Sequence, residues 1–223
     1  SYVLFLAAAA KRRGFLPLLL FEYESDAESF YSDAALFFDP EKTAWIPLFS
    51  GAPMLNNPVL LENHLNFFLR HLYNNDLELI ISSEAVFSQT VADRHALEAG
   101  SLWLHAGDDH AFADLLKRLG EMGYLRNDCV EFCGDFAVRG GIVDIYAFGE
   151  TYPFRLEFFG DSIESLRRFN PHDQISFETC AEALIRPASY AADKKSEIRH
   201  ILPDNTLLIR IADLRKRGKD PAA

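Results

Sequence analysis

The hexapeptide Phe154-Arg155-Leu156-Glu157-Phe158-Phe159 places a guanidinium, a carboxylate and three phenyl rings within one short stretch. In an extended chain, side chains alternate between two faces. Phe154, Leu156 and Phe158 therefore share one side, and Arg155, Glu157 and Phe159 share the other. The first set is a core face. The second puts a phenyl ring and a guanidinium on a surface that ought to be polar. The chemistry this suits is recognition, because arginine and the aromatic residues are the types enriched at interface centres. Arg139, beside Gly140-Gly141, can join that face from a neighbouring strand. Two readings stand at this point. Either the face docks a partner, or Phe159 covers a small satellite core while Arg155 pairs locally with Glu157 or Asp161.

Catalytic chemistry leaves no comparable trace. The sequence contains no GxSxG, GxGxxG or GxxxxGK pattern, so the expectation is no nucleophile elbow and no glycine cradle for phosphates. Cys129, Cys133 and Cys180 make an odd count without a CxxC pair, which argues against a disulfide framework and fits no common zinc spacing. They are expected to be buried free thiols. His64 and His71, on one side of a helix, are expected at the surface. No metal is expected.

These residues must be held by a sizeable fold, and 223 residues allow one large or two small domains. The net charge of −11 opposes a general phosphate-binding surface. The basic run Arg215-Lys216-Arg217 reads as a solvated end. The apolar runs near the start are too short to span a membrane and are divided by Lys11-Arg12-Arg13, charges that follow the first run instead of preceding it as in a secretory signal. A cytoplasmic protein without membrane contact is expected.

Up to residue 100 the chain alternates strand and helix patterns. Phe15 to Tyr23 and Leu77 to Ile81 read as strands, and Thr43 to Phe49 as an edge strand limited by Pro47. Ser25 to Glu28 has the form of a capping box, and Asn57-Pro58 that of a capped helix start ahead of the stripe Leu61, Leu65, Phe68 and Leu72. Ser82 or Ser83 is expected to cap a short helix. Such alternation predicts a mostly parallel sheet covered by helices. Beyond Leu102 the pattern changes. Asp108 or Asp109 is expected to cap a helix with the stripe Phe112, Leu115, Leu116 and Leu119, closed by Gly123. From Cys129 to Ile185 strand follows strand, broken at Gly140-Gly141, Phe148-Gly149-Glu150 and Gly160-Asp161, as antiparallel strands are. The fold class expected is α/β, a mostly parallel sheet domain with an inserted α+β domain of antiparallel strands. Residues 1–100 form the first part of the sheet domain, 101–186 the insertion, and 187–223 a segment returning to the first domain.

"GDFAVRGGIVDIYAFG" followed by "FRLEFFGDSIESLRRFNPHDQ" closely resembles the second domain of bacterial transcription-repair coupling factors, a domain shared with the excision-repair protein UvrB. The resemblance is specific over 119–175, looser over 1–118, and weak beyond 190. It implies an N-terminal, UvrB-like module whose inserted domain, residues 101–186, binds UvrA, with Arg139, Arg155, Phe159 and Glu157 at the partner-binding positions. It further implies a non-catalytic fragment without cofactor that recruits UvrA to stalled RNA polymerase for transcription-coupled nucleotide excision repair. ATP and magnesium, the polymerase and DNA would belong to motor and polymerase-binding domains of a parent DNA translocase. The alternatives are an N-terminal fragment of UvrB and, third, an unrelated small α/β enzyme.

Overall fold

A computed structural model describes residues 2–48 and 58–211. In chain order the helices and strands begin with α1 (Tyr2–Arg12), β1 (Leu16–Phe21), α2 (Glu24–Ala34), β2 (Thr43–Ile46), α3 (Pro58–Asn74) and β3 (Leu79–Ser83). They continue through β4 (Thr90–Ala92), α4 (Arg94–Gly100), β5 (Leu102–His105), α5 (Phe112–Glu121), β6 (Leu125–Arg126), β7 (Asp135–Arg139) and β8 (Ile142–Ile145). The series ends with β9 (Phe154–Phe159), β10 (Ser162–Phe169), β11 (Ser176–Thr179), β12 (Glu182–Ile185), β13 (Lys195–Glu197), α6 (Ile198–Ile201) and β14 (Thr206–Ile211).

Two compact units emerge. One comprises Ser1–Asn56, Phe68–Val91 and Ser196–Ala223, the other Asn57–Phe67 and Ala92–Lys195. In the first, four strands in the order β14-β1-β3-β2 pair in parallel throughout. The unbroken apolar run of β1 suits this, since a parallel strand is covered on both faces and every residue of β1 is buried. β2 lies at an edge and stops just before Pro47, which has no amide to continue the ladder. Ala7 of α1, Ala27 and Ala34 of α2, Leu19, Trp45, Leu79 and Ile81 form one core of this unit.

The second unit is built on a six-stranded sheet, order β11-β10-β9-β8-β7-β6, antiparallel except where β6 joins β7. Its main core gathers Leu104, Leu115, Leu119, Phe136, Val143, Ile145, Phe154, Leu156, Ile163 and Leu166 on one side of that sheet. A smaller cluster, Val130, Ala137 and Phe169 with Tyr146 against it, lies apart from it. The α/β architecture with one parallel and one mainly antiparallel sheet matches the sequence reading.

The expected caps do not. α2 begins at Glu24 with Tyr23 as its cap residue and no capping side chain, so Ser25 lies inside the first turn. The short helix expected after Ser83 forms as a 3-10 turn, Glu84–Ser88, with Ser83 at its cap position, but the Ser83 hydroxyl donates to Glu24 and not to that turn. α5 has Ala111 as its cap residue, and the amide of Phe112 is satisfied from the β9–β10 turn by Asp161, 3.0 Å away. Asp108 bonds His105 instead. At α5 a carboxylate from a distant turn thus takes the place of the local motif. Gly123 does close α5, at φ 92°. Cys133 is buried, but Cys129 is exposed and Cys180 intermediate, which corrects the expectation of three buried thiols. His71 is not a free surface residue, because its ring bonds Asp76 at 2.9 Å. The cap expected of Asn57 and the 215–217 basic run lie outside the described residues. Among the described residues no helix is long and apolar enough to cross a membrane.

Candidate partner-docking face

The face of β7–β10 turned away from the main core is organised by Asp144. Register sets Asp144 directly opposite Arg155 on one neighbour and Ala137 on the other. Its side chain is only 1% exposed. A carboxylate removed from water needs compensating donors and charge, and two arginines supply them. Arg155 Nε donates to Oδ1 at 2.7 Å and Nη2 to Oδ2 at 3.0 Å, a bidentate pair. Arg139 Nη2 donates to the same Oδ2 from β7.

Arg155 has further attachments. Its Nη1 donates to the carbonyl of Gln174 at 3.0 Å, and its guanidinium lies 4.3 Å over the Phe169 ring. The bond to Asp144 holds its pKa above the ordinary arginine value. Only 14% of its side chain is exposed, against 45% for Arg139. The expectation of Arg139, Arg155 and Phe159 as one exposed patch is therefore corrected for Arg155, which looks inward. The local alternative is corrected too, because its partner is neither Glu157 nor Asp161.

Glu157 accepts from Ser165 Oγ at 2.7 Å and pairs with Arg167. The Ser165 hydrogen bond, with Arg167 adding to it, holds its carboxyl below the usual range. Phe159 ends β9 at 77% exposure, so it covers no satellite core. Its neighbour Phe158 is the inward one, edge-on to Phe112 with centroids 5.2 Å apart. The turn that follows is fixed by Asp161, whose carbonyl accepts from His110 at 2.7 Å while its carboxylate holds Phe112.

The glycine pair brings Arg139 to the same end of the sheet. Gly140 turns the chain at φ 60°, and the Gly141 carbonyl accepts the Phe158 amide at 2.7 Å. The face thus ends in one exposed ring and one half-exposed guanidinium, over a charge network that is internally satisfied. Sequence reasoning had missed Asp144, Arg167, Ser165 and Gln174. A signal for the first was present: an acid inside the apolar strand Ile142-Val143-Asp144-Ile145 requires a cation across the ladder.

Comparison with known proteins locates this unit. A family model described as the UvrB interaction domain matches residues 102–190. The transcription-repair-coupling factor of Bacillus subtilis is 32% identical over 141 residues, covering 63% of this chain and 12% of that protein. That of Myxococcus xanthus is 42% identical over 82 residues, covering 37% of this chain and 7% of that protein. The UvrABC system protein B of Kosmotoga olearia is 25% identical over 188 residues, covering 82% of this chain and 28% of that protein. The chain therefore spans about a tenth of the coupling factors and about a quarter of the UvrB protein it matches. Its residues 102–190, which carry the Asp144 network and the exposed Phe159, are the part of the chain that matches the UvrB interaction domain model.

Proposed function

We propose that this domain docks UvrA, and that the chain is the recruiting segment of a transcription-repair coupling factor acting in nucleotide excision repair. The observation that carries the reading is Phe159, a phenyl ring 77% exposed at the end of β9, in the stretch that matches the UvrB interaction domain model. A ring left in water at the end of a strand contributes nothing to the core. It suits an apolar hollow on a partner, with Arg139 offering a charged donor beside it. Polymerase binding, ATP chemistry and DNA translocation would reside in parts of the parent outside these residues. A second reading, a segment of UvrB, draws on the longer reach of the UvrB match along the chain. The higher identities of the coupling factors favour the first. The same face serves both readings, and the full reading frame of the gene separates them.

The test is a calorimetric titration of UvrA with the chain and with Phe159→Ala. Hot-spot truncations cost about 2–4 kcal/mol, so affinity should fall roughly thirtyfold or more. The melting temperature should hold, since removing an exposed side chain changes stability by about 0.5 kcal/mol at most. An unchanged affinity removes the reading.

A further inference from the structure

α1 of the parallel unit carries more apolar surface than its own core uses. From Tyr2 to Ala10 it reads YVLFLAAAA, without a single charged side chain. A helix that is apolar all round is normally covered all round. Here one stripe is: Leu4, Ala7 and Ala10 are buried, Ala7 in the core with Leu19, Leu79 and Ile81. The other stripe faces water. Phe5 is 63% exposed, and Tyr2, one turn before it on the same face, 75%. The chain leaving α2 adds Leu36 and Phe37, at 79% and 66%. Between Phe5 and Ala8 of α1 and the pair Phe37-Phe38 lies a groove of about 610 Å³. Apolar surface concentrated in this way marks an interaction site.

The charges lining the groove say what covers it. Lys11 and Lys42 share Glu78, the latter at 3.7 Å, so that carboxylate is already neutralised. The Asp39 carboxylate accepts the Glu41 amide at 3.0 Å. Arg12, in the last turn of α1, has no partner among the described residues. Arg13 follows it with none either. What remains unmatched is an apolar trough with a free guanidinium at one end.

We propose that this groove is a second docking site and that it takes an acidic amphipathic helix of another protein. From Leu4 to Arg12 it follows α1 for about 12 Å at 1.5 Å per residue. Two turns of a partner helix fit that length, with apolar side chains at i, i+3 or i+4, and i+7. A glutamate or aspartate in the next turn reaches Arg12. A second copy of this chain is the poorer occupant. Its own α1 stripe has no acid in the first turn and ends in Lys11-Arg12, so it brings no carboxylate to the free guanidinium. The site lies wholly within the parallel unit and does not rest on the UvrA reading.

The probe is a fluorescent amphipathic peptide of about four turns, with leucine at i, i+4 and i+7 and glutamate in its last turn. It is titrated with the 223-residue chain and read by anisotropy, beside a control peptide with lysine in place of glutamate. The net charge of −11 favours the lysine peptide everywhere except at a local cation. The glutamate peptide should nevertheless saturate, and bind at least about threefold more tightly than the control. Arg12→Glu should reverse that preference. Phe5→Ser and Phe37→Ser should each weaken binding by about tenfold or more, with the melting temperature held because both rings are exposed. No saturation, equal binding of the two peptides, or unchanged affinity in Phe5→Ser overturns the proposal. So does sedimentation of the chain alone as a dimer that Phe5→Ser dissolves, because a second copy would then be the occupant.

Discussion

On β9 the two faces of one strand carry opposite chemistry, residue by residue. Strand alternation alone puts Phe154 and Leu156 in the core and turns Arg155, Glu157 and Phe159 the other way, and the structure keeps that division. It does not say that Arg155 will fold down onto Asp144, because cross-strand register is a tertiary fact. Glu24 makes the same point in the parallel unit. Its carboxylate accepts from Leu48 N at 3.1 Å and Ser83 Oγ at 2.6 Å, at the carboxyl ends of β2 and β3 and in the first turn of α2. Burial raises its pKa, with the Ser83 bond opposing. In open parallel sheets that end, beside a helix start, is where phosphates bind. Here the Glu24 carboxylate occupies it, and the sequence carries no GxxxxGK pattern to cradle an anion. The expected outcome is no saturable ATP hydrolysis by the purified chain in a coupled turnover assay. A saturable rate that rises when Glu24 is replaced by glutamine would show that the site is usable after all.

Elements were legible where their signal was periodic and illegible where it was a handshake between distant parts. The α5 stripe was readable, and Leu115 and Leu119 are buried. Its start was not, because the donor at Phe112 is satisfied by Asp161 from a hairpin 49 residues away. The β7–β8 turn shows how much one backbone position can matter. Gly140 and Gly141 look equivalent in sequence, yet a Cβ on Gly140 meets nothing, whereas one on Gly141 would lie 2.7 Å from the Phe158 carbonyl oxygen. Gly141→Ala must push the turn off β9, in a region where the Phe158 amide already bonds Gly141. Overpacking of this kind costs about 1–3 kcal/mol. For a chain of this size that corresponds to a melting temperature lower by roughly 2–12 °C. UvrA affinity should fall as well, since Arg139 rides on the same turn. Gly140→Asn, which tolerates the left-handed backbone, should leave both nearly intact. Equal behaviour of the two variants in a melt and a titration would mean that the close approach does not hold the turn.

At the scale of the whole chain, the sequence shows two kinds of sheet but not how the chain is shared between them. α3 is one continuous helix with one apolar stripe. Its first half nevertheless groups with the antiparallel unit, where Glu62 takes the amide of Ser189 and Asn63 that of Gly149. Bonds that distant in sequence leave no periodic trace. The return strand is more legible, because Leu207 to Ile211 is too short to stand alone. It lies parallel to β1 in register from Leu16↔Thr206 to Phe21↔Ile211. β14 is thus the outer strand covering a wholly buried one, with Ile209 and Ile211 packed on the parallel unit's core. A chain ending at Asn205 would leave the β1 edge bare, an unpaired apolar strand edge of the kind that associates. The core of the antiparallel unit contains none of the removed residues. Stability is distributed unevenly between such units, and hydrogen exchange resolves them. In the truncated chain the amides of β1 and β3 should lose protection, while those of β8 and β9 keep theirs and UvrA affinity stays within about threefold. Protection retained in β1 would show that β14 is dispensable for the parallel sheet. Protection lost in β9 would show that the two units fold as one, and the docking face would then depend on the whole chain.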